Sequence, residues 1–452
     1  MDTALPRPTD PVAPVSLSLS EALRFWLKLG FISFGGPAGQ IALMHEELVD
    51  RRRWISEKRF LHALNYCMLL PGPEAQQLAT YLGWLLHRTW GGILAGVLFV
   101  LPSLFIIMAL AWLYMAHGDI PLIAGFFYGI KPAVTALVAQ AAYRVGSRSL
   151  KSSWHWGIAA AAFLAIFTLN IPFPFIVIAA AAIGFVGGKL RPEAFGGPSH
   201  EKGNAHQSPG AALIDDDTPT PPHARFSWRG FWRVLLVCLT LWAGVMGVLA
   251  TAFGLESALV QMGWFFTKAA LMTFGGAYAV LPYVYQGAVE NFHWLTATQM
   301  IDGLALGETT PGPLIMVVSF VAFVGGWTKA IFGADSLLLA GVAAAVIATF
   351  FTFLPSFFFI LLGGPFIEST HGKLKFTAPL VGITAAVVGV ILNLAVFFAY
   401  HVIWPQGFAG HMEWPSIAIG LAAGIALLRF KINVIYVIIA AGMMGLLMQL
   451  WR

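Results

Sequence analysis

The sequence predicts an all-α, polytopic membrane protein, and three observations carry that prediction. Of its 452 residues 58% are apolar and 10% charged, with a mean hydropathy of +0.77, so a water-soluble chain of this length would lack the polar surface to stay dissolved. About 13 apolar segments follow one another, most of them near the ~20 residues that cross ~30 Å of hydrocarbon. The chain also repeats itself. Lys28, Phe34-Gly35-Gly36, Trp54 and Pro71-Gly72-Pro73 recur as Lys268, Phe274-Gly275-Gly276, Trp294 and Pro311-Gly312-Pro313, all displaced by 240 positions (35 to 275, 73 to 313).

A polar, Pro-rich tail covers 1–21, and no charged start leads into a short apolar run, so no cleaved signal is expected. Apolar stretches at about 22–44, 60–82, 91–116, 121–146, 154–169 and 171–187 make an N-terminal membrane repeat, 22–188. Residues 189–229 are rich in Gly, Pro, His and Asp and read as a hydrophilic flexible linker. A lone apolar segment, 231–253, forms a connecting transmembrane helix within 230–254. Six more, at about 258–284, 296–323, 336–363, 376–400, 414–428 and 432–450, make a C-terminal repeat, 255–452. Leu101-Pro102-Ser103 echoes Leu354-Pro355-Ser356, and Gly129-Ile130 echoes Gly382-Ile383, at an offset of 253. A six-membered half returns to its starting side, so the single connecting helix delivers the second half upside down. Inverted repeats with Gly/Pro-interrupted helices are the pattern of secondary transporters.

With the N-terminus in the cytoplasm, Arg144, Arg148, Lys151, Lys189, Arg191, Arg225, Arg229, Arg233, Lys373, Lys375, Arg429 and Lys431 all fall inside, as positive-inside placement requires, and the C-terminus is periplasmic. One loop conflicts. Arg51-Arg52-Arg53, Lys58 and Arg59 would lie outside if the first segment crossed fully. Broken or re-entrant helices at the Phe-Gly-Gly and Pro-Gly-Pro motifs remove the conflict; ordinary spanning helices with a basic outer loop are the alternative.

Broken backbone in lipid is expensive unless its freed groups face protein, water or ligand, so four breaks imply a polar cavity. Gly35, Gly36, Pro71, Gly72, Pro73, Gly275, Gly276, Pro311, Gly312 and Pro313 allow positive φ, close approach and helix restarts, whose unpaired N–H groups and positive dipole ends favour an anion. Close helix packing through small residues is the plainer reading. Lys28 and Lys268, in matching register, are candidate anion cations or snorkelling side chains. Glu74 and Glu308 are the proton-coupling candidates, since a carboxylate in low dielectric exchanges protons near neutral pH; Glu74 also suits a helix start. Gln76, Gln77, Asn65, Thr309 and Thr310 could donate to an oxyanion. Arg51 and Arg53 could gather anions at a mouth or simply lie on the membrane surface.

Cys67 and Cys238 make neither a disulfide framework nor a zinc set. There is no His-Glu-x-x-His pattern and no phosphate loop, so no cofactor, metal, enzymatic activity or nucleic-acid partner is expected, and energy must come from gradients.

Phe34 to Ile41, Glu47 to Ile55, Leu70 to Ala79, Thr273 to Tyr278 and Thr309 to Pro313 closely resemble the chromate ion transporter family, in its long two-domain form. The likeness spans nearly the whole chain apart from its ends and linker. It implies a bacterial inner-membrane exporter of chromate, driven by the proton-motive force and conferring resistance, with sulfate as a related ligand. An oxyanion carrier other than for chromate and a passive anion channel stay open, as does a homodimer; a membrane sensor or scaffold fits poorly with four buried breaks.

Overall fold

In the computed structural model, residues 17–34, 36–118, 120–195, 212–215, 218–370 and 377–451 are described. Their regular elements are helical, and seven of these helices are long and apolar enough to cross a membrane. The expected class, an all-α polytopic membrane protein, holds.

Four of the apolar stretches turn out to be hairpins of short helices. The first holds α1 (Leu19–Ile32) and α2 (Gly36–His45), the latter running into a π-helical turn (Glu46–Arg51). The second holds α3 (Glu57–Leu69) and the start of α4 (Glu74–His117). Within α4 the backbone leaves helical space at His87 (φ −134°, ψ 36°) and Arg88 (φ 58°, ψ −161°). Gly83 there lies against Ala95 and Gly91, and Gly92 against Thr80 and Trp84, so 74–86 and 89–117 are antiparallel arms. Then come α5 (Pro121–Ser149), α6 (Ser153–Leu169), α7 (Phe173–Leu190), the four-residue α8 (Pro192–Phe195) and α9 (Trp228–Phe253). The second half opens with α10 (Ala258–Leu271), α11 (Ala277–Tyr285) and another π turn (Gln286–Asn291), followed by α12 (Ala297–Thr309), a 3-10 turn (Leu314–Met316) and α13 (Val317–Thr328). It closes with α14 (Leu337–Thr370), α15 (Thr377–Ile403), α16 (Trp414–Leu428) and α17 (Val434–Trp451).

Contacts show that each of these segments doubles back at its Gly/Pro break. Past α2, Arg52 lies 3.5 Å from Glu21 at the start of α1, and Trp54 packs edge-on to Phe25 at 5.3 Å. The Glu368 carboxylate holds both Arg59 at the start of α3 (2.7 Å) and Tyr81 in the first arm of α4 (2.5 Å). A straight helix would separate those two by roughly 30 Å. In the second half Phe265 of α10 stacks on Tyr283 of α11 at 4.8 Å, and Gly303 of α12 lies against the Phe320 ring of α13.

The halves agree in backbone detail. The π turns, the positive φ of Arg53 (52°) and His293 (51°), and the 2.8 Å bonds from Trp54 N to Leu48 O and Trp294 N to Ala288 O all stand 240 positions apart. The other echo has a packing cause. Gly129 of α5 lies on Ala441 and Gly445 of α17, while Gly382 of α15 lies on Ala180 and Gly184 of α7. Each half thus grips the last helix of the other where only a missing Cβ lets backbones touch. By contrast α9 buries little beyond Met246 and Leu249 and leaves Leu236 and Val248 about two-thirds exposed, a face suited to lipid.

Within the stretch expected to be a linker, residues 212–215 and 218–227 are described and make contacts: Leu213 N donates to Arg53 O (2.9 Å), Ile214 N to Trp54 O (3.1 Å) and Ser56 N to Ile214 O (3.0 Å). Arg59 donates to Thr218 O (2.7 Å), His223 Nε2 bonds Trp84 O (3.0 Å), and the Phe226 ring packs edge-on to Phe366 at 6.1 Å. This segment gathers the α2–α3 loop, the α4 bend and the end of α14 at one end of the molecule.

Candidate functional site

The four breaks meet in two pairs. Gly72 N donates to Thr273 O at 2.7 Å, and Gly312 N donates to Ser33 O at 2.8 Å. The two bonds correspond under the repeat, since 33 and 273, and 72 and 312, are each 240 apart. Local chemistry dictates them. Proline on either side lacks an N–H, so the glycine carries the tripeptide's one amide donor. Gly72 (φ +126°) and Gly312 (φ +105°) adopt backbone that side chains avoid, and a Cβ on them would come 2.7 Å from Ser356 Oγ and 2.6 Å from Ser103 Cβ. The Leu-Pro-Ser echo therefore places each half's serine on the other half's Pro-Gly-Pro.

The second arm of α4 touches both crossings: Gly96 lies against Gln76 and Thr80, while Ser103 and Phe99 O lie by Gly312. Two helical turns, roughly 10 Å, separate these contacts. Around them, buried polar atoms stand without a partner among the described residues: the hydroxyls of Ser33, Ser103, Ser356 and Thr352, and the Oε1 atoms of Gln40, Gln76 and Gln77. Unpaired polar atoms this deep are costly unless something binds them. Helix ends add to the count. The starts of α1, α3, α6, α9, α10 and α12 are capped by Ser or Thr side chains, whereas α4 (Pro73), α11 (Gly276) and the 3-10 turn (Pro313) begin at hinges with no side-chain cap. Among the described residues no side chain caps the first-turn amides at these hinges, as is also so at the starts of α5, α7 and α16; amides at a helix start can take an anion.

Other expected site residues divide. Gln76 and Gln77 are buried here, their Nε2 atoms bonded to Thr80 Oγ1 (3.0 Å) and Pro71 O (2.7 Å). Pro73, Pro311 and Pro313 are buried, and Pro71 partly so. Gly35 lies outside the described residues. Gly36 (φ +73°) and Gly276 (φ +99°) have nothing within 4 Å of the point where a methyl group would sit, and Gly275 (φ +76°) only Thr384 at 3.9 Å. Close packing by the protein itself therefore does not account for these three; their positive φ favours glycine. Lys28 and Lys268 are exposed, each five residues before a crossing residue, Ser33 or Thr273. Thr309 and Thr310 donate to carbonyls of their own helix, Ala305, Leu306 and Gly307, rather than into the site. Arg51 is neutralised by Glu46 (2.7 Å) and Glu47 (2.9 Å), while exposed Arg53 holds the docked segment through its carbonyl. Glu74 opens α4, partly buried beside Gly72 and Pro73. Glu308 accepts from Tyr278 of α11, with the Arg144 charge of α5 in electrostatic reach.

Sequence reasoning missed Ser33, Thr273, Gln40, Ser103, Ser356, Tyr278 and Arg144. Gln40 Nε2 donates to Gly312 O (2.5 Å) and Ser33 O (3.4 Å). The Leu-Pro-Ser echo and the hydroxyl preceding each Phe-Gly-Gly were the available signals. Also missed was Asp302, a buried acid in an apolar helix.

Similarity to known proteins extends over most of the chain. The family model described as chromate transporter matches residues 20–185 and 260–446. A chromate transport protein of Pseudomonas aeruginosa is 33% identical over 97% of this chain and 94% of its own length. One from Cupriavidus metallidurans is 29% identical over 94% and 93%, and a probable chromate transport protein of Synechococcus elongatus is 29% identical over 90% of each. No solved structure matches. The match takes in both halves and all four hinges, and the chain belongs to the chromate transporter family.

Proposed function

We propose that this protein is a secondary active transporter that exports chromate across the bacterial inner membrane, using the proton-motive force and so conferring chromate resistance. The observation that carries the reading is the pair of crossed hinge bonds, Gly72 to Thr273 and Gly312 to Ser33. Two such crossings join halves that can rock against one another, and they surround unpaired hydroxyls and uncapped helix-start amides suited to a tetrahedral oxyanion. Serine hydroxyls donate and glutamine Oε1 atoms accept, so the lining also suits an oxyanion that carries a proton.

In this reading the halves are inverted repeats and the four hinge segments re-enter. The bonds of Leu213 and Ile214 with Arg53, Trp54 and Ser56 support it, because they put the basic loop on the same side as this polar stretch. The second arm of α4, with α5, α6 and α7, α9, and α14 to α17 then cross, leaving the N-terminus cytoplasmic and the C-terminus periplasmic. Glu74 and Glu308 serve the proton step. Outward movement of a dianion is favoured by about 5 kcal/mol at 100 mV, from ~2.3 kcal/mol per charge.

Proteoliposomes offered labelled chromate from outside test this. A carrier accumulates chromate uphill under an imposed pH gradient, and an uncoupler abolishes the accumulation; a channel would only dissipate the gradient. Competition by sulfate measures how broad the oxyanion site is.

A further inference from the structure

Two buried ionic clusters lie outside the hinge site, and each ties one half to the other. In the first, Asp302 of α12 accepts from Tyr114 of α4 through Oδ2 (2.8 Å) and lies 3.7 Å from Lys131 Nζ of α5, with its Oδ1 unpartnered. In the second, Glu368 of α14 takes Arg59 of α3 on Oε2 (2.7 Å) and Tyr81 of α4 on Oε1 (2.5 Å). Both carboxylates are 2% exposed.

The clusters hold neighbouring places in the two halves without using corresponding residues. Each fastens a Pro-Gly-Pro hairpin to a long helix of the opposite half: α12 to α4 and α5, and α3 to α14. Tyr114 maps onto 367, next to Glu368 (114 + 253), and Asp302 maps onto 62, one turn from Arg59 (302 − 240). They lie at opposite ends of the molecule. The Arg59 cluster touches the docked segment through Thr218 O (2.7 Å), whereas Tyr114 is three residues from the far end of α4. Pairing at such depth contributes little net stability, so a purely structural purpose accounts poorly for two of them across a moving joint.

We infer that Arg59–Glu368–Tyr81 and Lys131–Asp302–Tyr114 are opposed latches, one closing the approach to the hinges from each end, and that transport opens them alternately. These are positioning residues that act through the hairpins they hold. The inference rests on the alternating-access reading above. The latches differ in strength. Both Glu368 oxygens are bonded and Arg59 is 14% exposed, while one Asp302 oxygen is unpaired and Lys131 is 26% exposed; the Asp302 latch opens more readily.

Cys67 supplies the test. It is fully buried next to Tyr66, whose ring packs edge-on to Tyr81 at 5.9 Å, between the Glu368 latch and Gly72. In a Cys238→Ser background, a membrane-impermeant thiol reagent is applied from either side of oriented vesicles with no anion present. Glu368→Gln should raise Cys67 labelling several-fold from the side of the docked segment, Tyr81→Phe should raise it less, and Asp302→Asn should leave it unchanged from that side. The swap Arg59→Glu with Glu368→Arg should restore protection, which mere loosening of the fold would not allow. Equal labelling in Glu368→Gln and Asp302→Asn, or no change in Glu368→Gln and Tyr81→Phe, overturns the latch assignment. Labelling needs no substrate, so this result stands apart from whether chromate is the cargo.

Discussion

The crossing at Gly72 and the crossing at Gly312 share a backbone and differ in what surrounds it. Both use an amide donor between prolines, a hydroxyl residue's carbonyl before Phe-Gly-Gly, and a serine from the facing long helix. At Gly312 the loop is braced from across the joint by Gln40, whose counterpart by the repeat is Val280. At Gly72 it is braced from within by Gln77 to Pro71 O, and the counterpart there is Val317. Glu308 and Tyr278 pair beside the second crossing, where the first copy has Met68 and Ala38. Glu74 stands at the first, opposite Leu314. Geometry was kept in both copies while the ionisable and amide chemistry was divided between them, so the site is a composite that neither half builds alone.

The largest effect should come from filling either glycine at the crossings. Gly72→Ala and Gly312→Ala combine positive-φ strain with overlap onto Ser356 or Ser103 and should lose at least ~2 kcal/mol of stability with nearly all flux. Gly36→Ala adds strain in open space and should lose about 1 kcal/mol, so thermal unfolding in detergent ranks the three. Equal losses would erase the distinction between close approach and conformation.

Next, Gln40→Leu leaves the Gly312 carbonyl unbraced and should destabilise by about 1–3 kcal/mol, with no matching loss for Val280→Leu. A null result for Gln40→Leu would make the crossings equivalent. Glu308→Gln and Glu74→Gln should each remove part of the pH dependence of flux, and the double variant should remove more than either; an unchanged profile in both would strip the acids of the coupling role.

The smallest effect concerns the docked segment. Burial holds His223 below its ordinary value, so the neutral ring favours docking, and docking weakens as pH falls through the docked-state value. Hydrogen-exchange protection over 218–227, taken against the intrinsic rate at each pH, should fall in acid, and His223→Gln should blunt that response.

Much of this was legible in the sequence because Gly and Pro act through backbone, and backbone needs mark the chain directly: the 240-residue register located all four hinges. Partner identity across the joint was not legible. Nothing in Gly72 names Thr273, and nothing in Ser103 names Gly312, until the fold crosses the halves. The matching register of Lys28 and Lys268 marks shared architecture as readily as shared chemistry, and their exposure suits snorkelling or a mouth alike. Nor was the short main-chain pairing at Leu213 and Ile214 legible, because polar composition carries no sign of it.

The most direct measurement is an experimental structure of the purified protein with chromate bound, its chromium located by anomalous scattering. The metal centre should lie between the two crossings, its oxygens within hydrogen-bonding distance of hydroxyls from Ser33, Ser103 or Ser356 and of the first amides of α4. Chromium located away from the hinges, or the Gly72 and Gly312 loops found apart, would contradict the account.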